Sequence, residues 1–360
     1  DGTLPSDKQM IQPRVGFAWD IGGNGKSVLR ASYGIYNARQ NMLTQVGSIT
    51  TNGVQQQTIF VNSQLISFGV PGPTWPGLVT PSAGSCSTIH NFAAAGPFNN
   101  PFPCFSGVRV FSRDYKNPRI YTTNVGFEQE LATNLSLYLD FTHAKGVYLT
   151  RFLNQNRMLD AGGFPIFGDY LGEVMVASSR GKSLYRGFTV GMRKRFSQRY
   201  QFEWNYTFAK DQDDDSNERD PFTDRAFDIN NLQLDYALSD RDIRHRFNFF
   251  ANIELPAKFE FSPRLQGRTA QPITPGVRTA TNRNTARKDN EYFSFDWRLQ
   301  RPFTFGERYR LIPIIEMFNT FNNTNNVNPL TTPGLFNFDG FLRQGVGDPR
   351  QLQLAIKFTF

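Results

Sequence analysis

An acidic run between residues 211 and 220 carries side chains that could hold a cation. Its members are Asp211, Asp213, Asp214, Asp215, Glu218 and Asp220. Carboxylate oxygens are ligands that Ca²⁺ prefers, but an EF-hand loop needs glycine at its sixth position and a bidentate glutamate at its twelfth. Those positions, counted from Asp211, hold Ser216 and Phe222. A solvated loop is therefore the first interpretation, and Ca²⁺ at Asp211, Asp213 and Asp215 is the alternative.

The histidines offer no clear catalytic or metal-binding pattern. His90, His143 and His245 lack the His-x-x-x-His spacing of a metal pair. A hydrolase would need a nucleophile, a base and an orienting group in mutual contact, and Ser183, His143 and Asp140 are a set that no spacing supports. We expect no catalytic residue, no resident metal and no cofactor other than the calcium alternative. His245 is expected to be structural or to lie at the mouth of a pore.

The elements that must position these residues are strands, because apolar and polar residues alternate over segments of about ten residues. Tyr200, Phe202, Trp204, Tyr206 and Phe208, for example, alternate with polar residues. No helical period is convincing. The strand segments number eleven and are residues 14–20, 28–36, 119–130, 135–142, 186–196, 200–209, 247–254, 259–269, 292–300, 309–318 and 351–360.

The length of these segments favours a membrane barrel. Ten residues at roughly 3.3 Å each, tilted near 45°, cross about 23 Å, close to the ~25 Å apolar band of an outer-membrane barrel. Strands of soluble sandwiches are typically about 5–6 residues long. Residues 147–153 are expected to extend a hairpin above the membrane, and Pro313 predicts an irregularity in its strand.

The connections between the segments alternate strictly in length. The short ones are 21–26, 131–134, 197–199, 255–258 and 301–308, and the long ones are 37–118, 144–185, 211–244, 270–290 and 319–350. Short periplasmic turns and long extracellular loops are typical of outer-membrane barrels. The parity then predicts a periplasmic C-terminus. Because bacterial barrels have an even number of strands, eleven implies a missed strand or an absent N-terminal part.

The composition excludes some other classes. The 360 residues contain 35 Phe and 14% aromatics, which argues against disorder. The sequence contains no run of 18 apolar residues, so no transmembrane helix is predicted. A mean hydropathy of -0.45 is compatible with a barrel. The net charge of +8 comes from dispersed residues, so we expect no nucleic-acid partner.

The polar faces of the segments carry charges of both signs, as a water-filled or plugged lumen requires. These lumen candidates are Arg30, Arg193, Arg246, Arg298 and Lys357, with Glu128, Asp140, Glu203, Glu254, Asp296 and Glu316.

Cys86 and Cys104 lie in a stretch rich in Pro, Gly and Ser within connection 37–118. A single pair in a long loop suggests a disulfide formed in an oxidising compartment. Such a bond would contribute about 3 kcal/mol through loop entropy. Two free thiols are the alternative.

Several short motifs resemble the C-terminal half of a TonB-dependent outer-membrane receptor of the Oar-like group, whose members often carry a carboxypeptidase-regulatory-like domain. The chain ends in Phe358-Thr359-Phe360, and a C-terminal aromatic resembles the signal read by the barrel-assembly machinery. The other pieces are residues 13–18 (Pro-Arg-Val-Gly-Phe-Ala), 30–36 (Arg-Ala-Ser-Tyr-Gly-Ile-Tyr), 206–210 (Tyr-Thr-Phe-Ala-Lys), 242–247 (Asp-Ile-Arg-His-Arg-Phe) with Leu255-Pro256, and 316–322 (Glu-Met-Phe-Asn-Thr-Phe-Asn).

The resemblance implies a 22-stranded barrel filled by an N-terminal plug. Residues 1–360 would form about half of that barrel, an antiparallel transmembrane sheet of 11–12 strands, and we identify no plug and no TonB box in them. The implied partners are outer-membrane lipid, the assembly machinery, TonB through the plug, and an extracellular ligand. Ligand contacts are expected at the long loops, including Trp75 and Phe105, and at the lumen charges. A passive porin, an outer-membrane enzyme and a soluble β-sandwich binding module are the alternatives.

Overall fold

A computed structural model describes residues 4–8, 10–51, 108–167, 173–216, 223–306, 308–326 and 348–360. Within these residues, one α-helix, α1, spans Met42–Thr50, and 3-10 turns span Gln155–Arg157, Leu232–Asp235 and Pro256–Lys258. The strands are Arg14–Asp20 (β1), Ser27–Asn37 (β2), Val108–Phe111 (β3), Arg119–Ala132 (β4), Leu135–Asn154 (β5), Val174–Ser197 (β6), Tyr200–Asp213 (β7), Ala237–Leu238 (β8), His245–Leu255 (β9), Phe259–Arg268 (β10), Pro272–Ile273 (β11), Ala286–Arg287 (β12), Tyr292–Gln300 (β13), Phe303–Phe305 (β14), Tyr309–Phe318 (β15) and Gln351–Thr359 (β16).

Eleven of these strands form one antiparallel meander, which confirms the predicted set. Their order is β1-β2-β4-β5-β6-β7-β9-β10-β13-β15-β16, so each strand pairs with its neighbours in the chain. Among the described residues, β1 pairs only with β2, and β16 pairs only with β15. The sheet therefore has two free edges and is an open part of a barrel.

The connections of the meander confirm the predicted alternation. One end of the sheet, the turn end, carries the short connections 21–26, 133–134, 198–199, 256–258 and 301–308. The other end, the loop end, carries the long connections 38–118, 155–173, 214–244, 269–291 and 319–350. The first short turn depends on glycine, since Gly23 and Gly25 have φ of 65° and 71°, and Gly25 N donates to the Asp20 carboxylate at 2.7 Å.

The sheet has one polar and one apolar face, fixed by strand register. On the polar face, Gly126 lies opposite both Arg30 and Asp140, and Asp140 lies opposite Thr189. On the apolar face, Phe188 lies between Phe141 and Phe208 in one row. These three phenylalanines are 41–46% exposed, so no protein covers them.

Tightly buried apolar residues gather at the loop end rather than between sheet layers. One cluster consists of Tyr115, Phe152, Met175 and Ala177, and the other of Leu153, Ala226 and Ile229. The other sheet in the described residues is the two-stranded β11-β12 hairpin. The part of the chain that the structure describes therefore lacks the shared core of a β-sandwich, which forms between two inner faces.

The structure shortens one predicted long connection and adds two elements within another. Connection 144–185 is largely strand, because β5 reaches Asn154 and β6 begins at Val174; this confirms the hairpin extension expected at 147–153. Connection 37–118 contains α1, capped by the Asn41 side chain that accepts from Leu43 N at 3.0 Å. It also contains β3, which pairs parallel to β6.

The irregularity predicted at Pro313 is present. Pairing of β13 with β15 stops at Gln300, opposite Ile314, and pairing of β14 resumes at Phe303, opposite Leu311. Pro313 lies opposite this interruption and has no N–H to donate to the ladder.

A close contact on the polar face generates a stability prediction. A Cβ added at Gly191 of β6 would overlap the ring of Tyr138, which lies across it from β5. Gly191→Val should therefore lower stability by about 1–3 kcal/mol through overpacking. The effect is measured as the temperature at which the protein loses its heat-modifiable gel band, which marks the folded barrel.

The control for that variant is Gly267→Ala in β10. There an added Cβ would meet Phe293 only at 3.8 Å, an ordinary contact. This control should be neutral or slightly stabilising, since alanine loses less backbone entropy than glycine. Equal stability of the two variants would contradict the packing of Tyr138 over Gly191.

Candidate functional site

The predicted lumen charges lie on one face and partly pair with each other. Arg193 contacts Glu203 through two bonds of 2.9 and 3.1 Å, and Arg30 contacts Glu128 at 3.1 Å. The Arg298–Glu316 distance is longer, at 3.7 Å. The arginines of these pairs are 42–59% exposed, so the pairs add little stability and leave their charges accessible.

Three other predicted lumen residues differ in their surroundings. Asp140 lies against Gly126, where an added Cβ would be 2.6 Å from its Oδ1. Arg246 lies opposite Arg268 in register. The Asp296 carboxylate accepts from Ser294 Oγ at 2.6 Å and from Asn319 N at 2.8 Å, so it fixes the end of β15.

A concavity of about 680 Å³ opens on this polar face. Its charged lining residues are Arg30, Glu128, Asp140 and Arg193, and its aromatic lining residues are Phe17, Phe127 and Tyr138. Donors and acceptors of both signs converge there. The lining suits polar ligands or water rather than a purely apolar molecule.

The largest concentration of buried charge lies at the loop end. We call it the loop-end network and define it as Arg151, Asp213, Asp235, Asp242, Arg278, Arg283 and Arg287. At its centre, the fully buried Asp235 accepts from Arg151 Nη2 at 2.9 Å and from Arg278 Nη2 at 3.1 Å. Arg151 is itself only 1% exposed. Removing Asp235 would leave the buried charge of Arg151 uncompensated, which costs far more than losing a surface pair.

Arg283 joins two long connections. Its Nη2 donates to Asp213 Oδ1 at 2.6 Å and to Ser216 Oγ at 3.0 Å. Its Nη1 donates to the backbone carbonyls of Asp213 and Asp235. These hydrogen bonds link connection 269–291 to connection 214–244 and to the end of β7.

Asp242 gives a structural role to the motif at residues 242–247. It is fully buried, and its Oδ2 contacts Arg287 Nη2 at 3.0 Å and Arg244 Nη2 at 3.4 Å. Its Oδ1 accepts from Asp211 N at 2.8 Å. The aspartate therefore holds the end of β7, the start of β9 and the β11-β12 hairpin together.

The solvated loop predicted for the acidic run is wrong for its described core, because Asp213 and Asp214 are buried. Asp213 is paired with Arg283, and Asp215 lies 3.8 Å from Arg225. In the part of the chain that the structure describes, no group of three His, Cys, Asp or Glu could hold a metal. Glu218 and Asp220 lie outside the described residues, and the cofactor expectation stays a prediction.

Burial changes the acidity of Asp214. Desolvation raises its pKa from 3.8 to about 6, although Lys182 N donates to its Oδ1 at 2.9 Å. A carboxylate whose charge is destabilised by burial titrates closer to neutral pH.

The residues of the hypothetical hydrolase are not brought together. Asp140 of β5 and Ser183 of β6 lie on the polar face by their register, whereas His143, opposite Arg186, lies on the apolar face. His245 also lies on the apolar face, where its Nδ1 is 2.6 Å from the Tyr206 hydroxyl oxygen. This contact supports the structural role predicted for His245 and removes it from the pore.

The remaining predicted residues fall into two groups. Trp75, Cys86, His90, Cys104 and Phe105 lie outside the described residues, so their loop contacts and the disulfide stay predictions. At the C-terminus, the rings of Phe358 and Phe360 stack with centroids 6.1 Å apart, and Phe360 is 81% exposed.

Sequence reasoning missed the arginines of the loop-end network. Arg151, Arg278, Arg283 and Arg287 lie in extensions and connections, where no periodic pattern marks a buried side chain. The available signal was three arginines within ten residues of one long connection, facing an acidic run in another.

Residues 1–270 match the family model described as the outer membrane beta barrel domain. The chain belongs to the outer membrane β-barrel domain family. This match fits the open meander, the uncovered apolar face and the alternating connections. Comparison with curated protein sequences gives no match. No helix among the described residues is long and apolar enough to cross a membrane.

Solved structures with a similar fold are outer-membrane transporters and receptors. The outer membrane transporter YddB from Escherichia coli has a TM-score of 0.59 and 11% identity, covering 97% of this chain and 40% of that one. The FrpB iron transporter from Neisseria meningitidis has a TM-score of 0.53 and 11% identity, covering 96% and 38%. The ferripyoverdine receptor of Pseudomonas aeruginosa has a TM-score of 0.53 and 12% identity, covering 97% and 33%.

These coverages show that the chain spans 33–40% of the length of the three structures it resembles. The likeness at such low identity concerns the fold. The outer membrane is the location that the family and these neighbours support.

The loop-end network predicts a sharp contrast between two amide substitutions. Asp235→Asn leaves Arg151 and Arg278 without a carboxylate in a buried site and should cost about 3–5 kcal/mol. Glu128→Gln removes the partner of the exposed Arg30 and should cost at most about 1 kcal/mol. Hydrogen exchange over residues 223–287 should rise strongly in the first variant alone. Similar exchange in both variants would contradict a buried network.

The pKa of Asp214 predicts a pH dependence. Because its pKa is about 6 in the folded protein and its ordinary value is 3.8, its charge lowers stability above pH 6. That cost fades as the pH falls from about 6 towards 4. Asp214→Asn should therefore raise thermal stability at pH 7 and lose this advantage near pH 4.

The exposed Asp114→Asn is the control for this measurement, and its melting curve should follow wild type at every pH. A pH-independent effect of Asp214→Asn would contradict the burial of a titrating carboxylate.

Proposed function

We propose that these residues form the C-terminal part of the barrel of a TonB-dependent, Oar-like receptor that moves a bulky ligand across the outer membrane with coupled energy. The loop end faces the cell exterior, and the turn end and Phe360 face the periplasm. The plug that meets TonB belongs to another part of the receptor. No chemical reaction is assigned to the site.

The number of strands in the sheet and its free edges support this assignment. The eleven-strand meander is half of the 22 strands that the family resemblance implies. Its free edges at β1 and β16 require partners, because unpaired backbone groups are costly in lipid. Neighbouring structures include an iron transporter and a receptor bound to ferripyoverdine. A metal chelate is therefore one class of cargo among bulky ligands.

The loop-end network is the observation that carries the receptor function. The arginines of this network hold three separate parts of the chain in one arrangement: the β5 extension, through Arg151, connection 214–244 and connection 269–291. Loops that are already ordered lose less conformational entropy when a ligand binds. A rigid loop end above a charged polar face suits ligand capture followed by passage.

The same polar face also suits the second candidate, a passive porin-like channel. Its charges of both signs around Arg193 and Glu203 would line a water-filled lumen. The two functions differ in whether the lumen is open at rest.

Planar-bilayer conductance distinguishes them, with potassium chloride as the probe and the complete polypeptide that carries these residues as the protein. The receptor assignment predicts no steady conductance and retention of the periplasmic domain of TonB on the immobilised protein. Steady conductance without TonB retention would contradict it and establish the passive channel.

The barrel-assembly machinery is the proposed partner of the C-terminal aromatics. Phe358 stacks on Tyr309 within the sheet, with centroids 6.0 Å apart, whereas Phe360 projects beyond the last paired residue, Thr359. The exposed ring of Phe360 is therefore free for recognition before the sheet is complete.

A further inference from the structure

A row of basic residues crosses three adjacent strands on the apolar face. Arg186 of β6 lies directly opposite His143 of β5 on one side and Lys210 of β7 on the other. Lys145 follows His143 by two residues on the same face of β5. We call His143, Lys145, Arg186 and Lys210 the basic row.

The basic row lies at the border between the apolar band of the sheet and the loop end. Two residues nearer the turn end on each strand, Phe141, Phe188 and Phe208 form the row of exposed phenylalanines. The basic row is the next row towards the loop end. It therefore lies where the apolar band gives way to the loop end, at the depth expected for lipid head groups.

The charges of the basic row are not neutralised within the sheet. Directly opposed residues in antiparallel strands have Cβ atoms about 4.5–5.5 Å apart, and like charges at this spacing are destabilising. Among the described residues, no carboxylate forms an ion pair with Lys145, Arg186 or Lys210. Arg186, Lys210 and Lys145 are exposed. A compensating anion must come from outside the chain.

The basic patch is confined to one sector of the sheet. At the loop ends of β10, β13 and β15, the apolar-face residues are Gly267, Phe293 and Met317. These neutral residues would make ordinary contacts with lipid. The cations therefore form a local feature rather than a uniform belt.

We propose that the basic row binds the phosphate groups of anionic lipid in the leaflet at the loop end. This inference rests on the membrane-spanning barrel, and its assignment to the outer leaflet rests on the proposed orientation. The acyl chains would cover Phe141, Phe188 and Phe208 while the phosphates meet Arg186 and Lys210. One molecule would then satisfy both the exposed apolar row and the unpaired cations.

The geometry favours a lipid over a free phosphate ion. Lys and Arg keep their stems on apolar surface while their charged groups reach the polar layer. A free ion would leave the phenylalanine row uncovered. A lipid phosphate is held at the right depth by its own chains.

The test compares wild type with the double variant Arg186→Gln/Lys210→Gln in nanodiscs. One set of nanodiscs contains phosphatidylcholine alone, and the other also contains lipid A, which carries phosphates. Native mass spectrometry after mild detergent extraction measures how much lipid A stays bound. Retention should fall about fivefold for each positive charge removed.

The matched control is Lys26→Gln/Arg199→Gln, which removes the same charge from exposed side chains at the turn end. It should retain lipid A like wild type. Equal loss in both double variants would show a general charge effect and overturn the proposal. Equal retention in wild type and the basic-row variant would also overturn it.

Inorganic phosphate separates the two sources of the anion. Added to wild type in detergent, it should not displace lipid A. If inorganic phosphate displaced lipid A at concentrations that leave phosphatidylcholine bound, the ligand of the basic row would be a free anion and not a lipid. A persistent heat-modifiable band in every variant shows that the barrel is folded, so failure here leaves the receptor proposal untouched.

Discussion

The structure depends on a single constraint: a one-layer sheet cannot bury both of its faces in protein. Phe141, Phe188 and Phe208 remain more than 40% exposed in one row, and the strands around them satisfy their backbone groups by pairing. Lipid is the medium that covers such a face and tolerates only paired backbone.

Because the sheet has no core of its own, compact protein packing occurs at the loop end. There, the apolar Leu153 and Met175 are buried, and so are the charged Arg151, Asp235 and Asp242. Buried ion pairs are weak contributors to stability compared with apolar packing, but they are strongly sensitive to loss of one partner. The loop end is consequently held in a specific arrangement.

Local patterns predicted the sheet well and the loop end poorly. All eleven meander strands could be located because alternation along residues such as 200–208 reflects only the two sides of one strand. Asp213 and Arg283 are 70 residues apart, and no local pattern encodes their 2.6 Å contact. Helix α1 was missed because its nine residues are too short for a convincing period and depend on the Asn41 cap. The charged polar face was predicted, but the anchoring role of Asp296 was not.

The central claim is that alternate residues of one strand face lipid and water, and neighbouring positions of β6 test it most directly. Phe188→Cys and Thr189→Cys, in a background with Cys86 and Cys104 changed to serine, are each labelled with an environment-sensitive fluorophore in nanodiscs. Lipids carrying a quencher on the acyl chain should quench the label at position 188, and aqueous iodide should quench the label at position 189. Equal accessibility at both positions, or the reverse order, would contradict a membrane-spanning barrel.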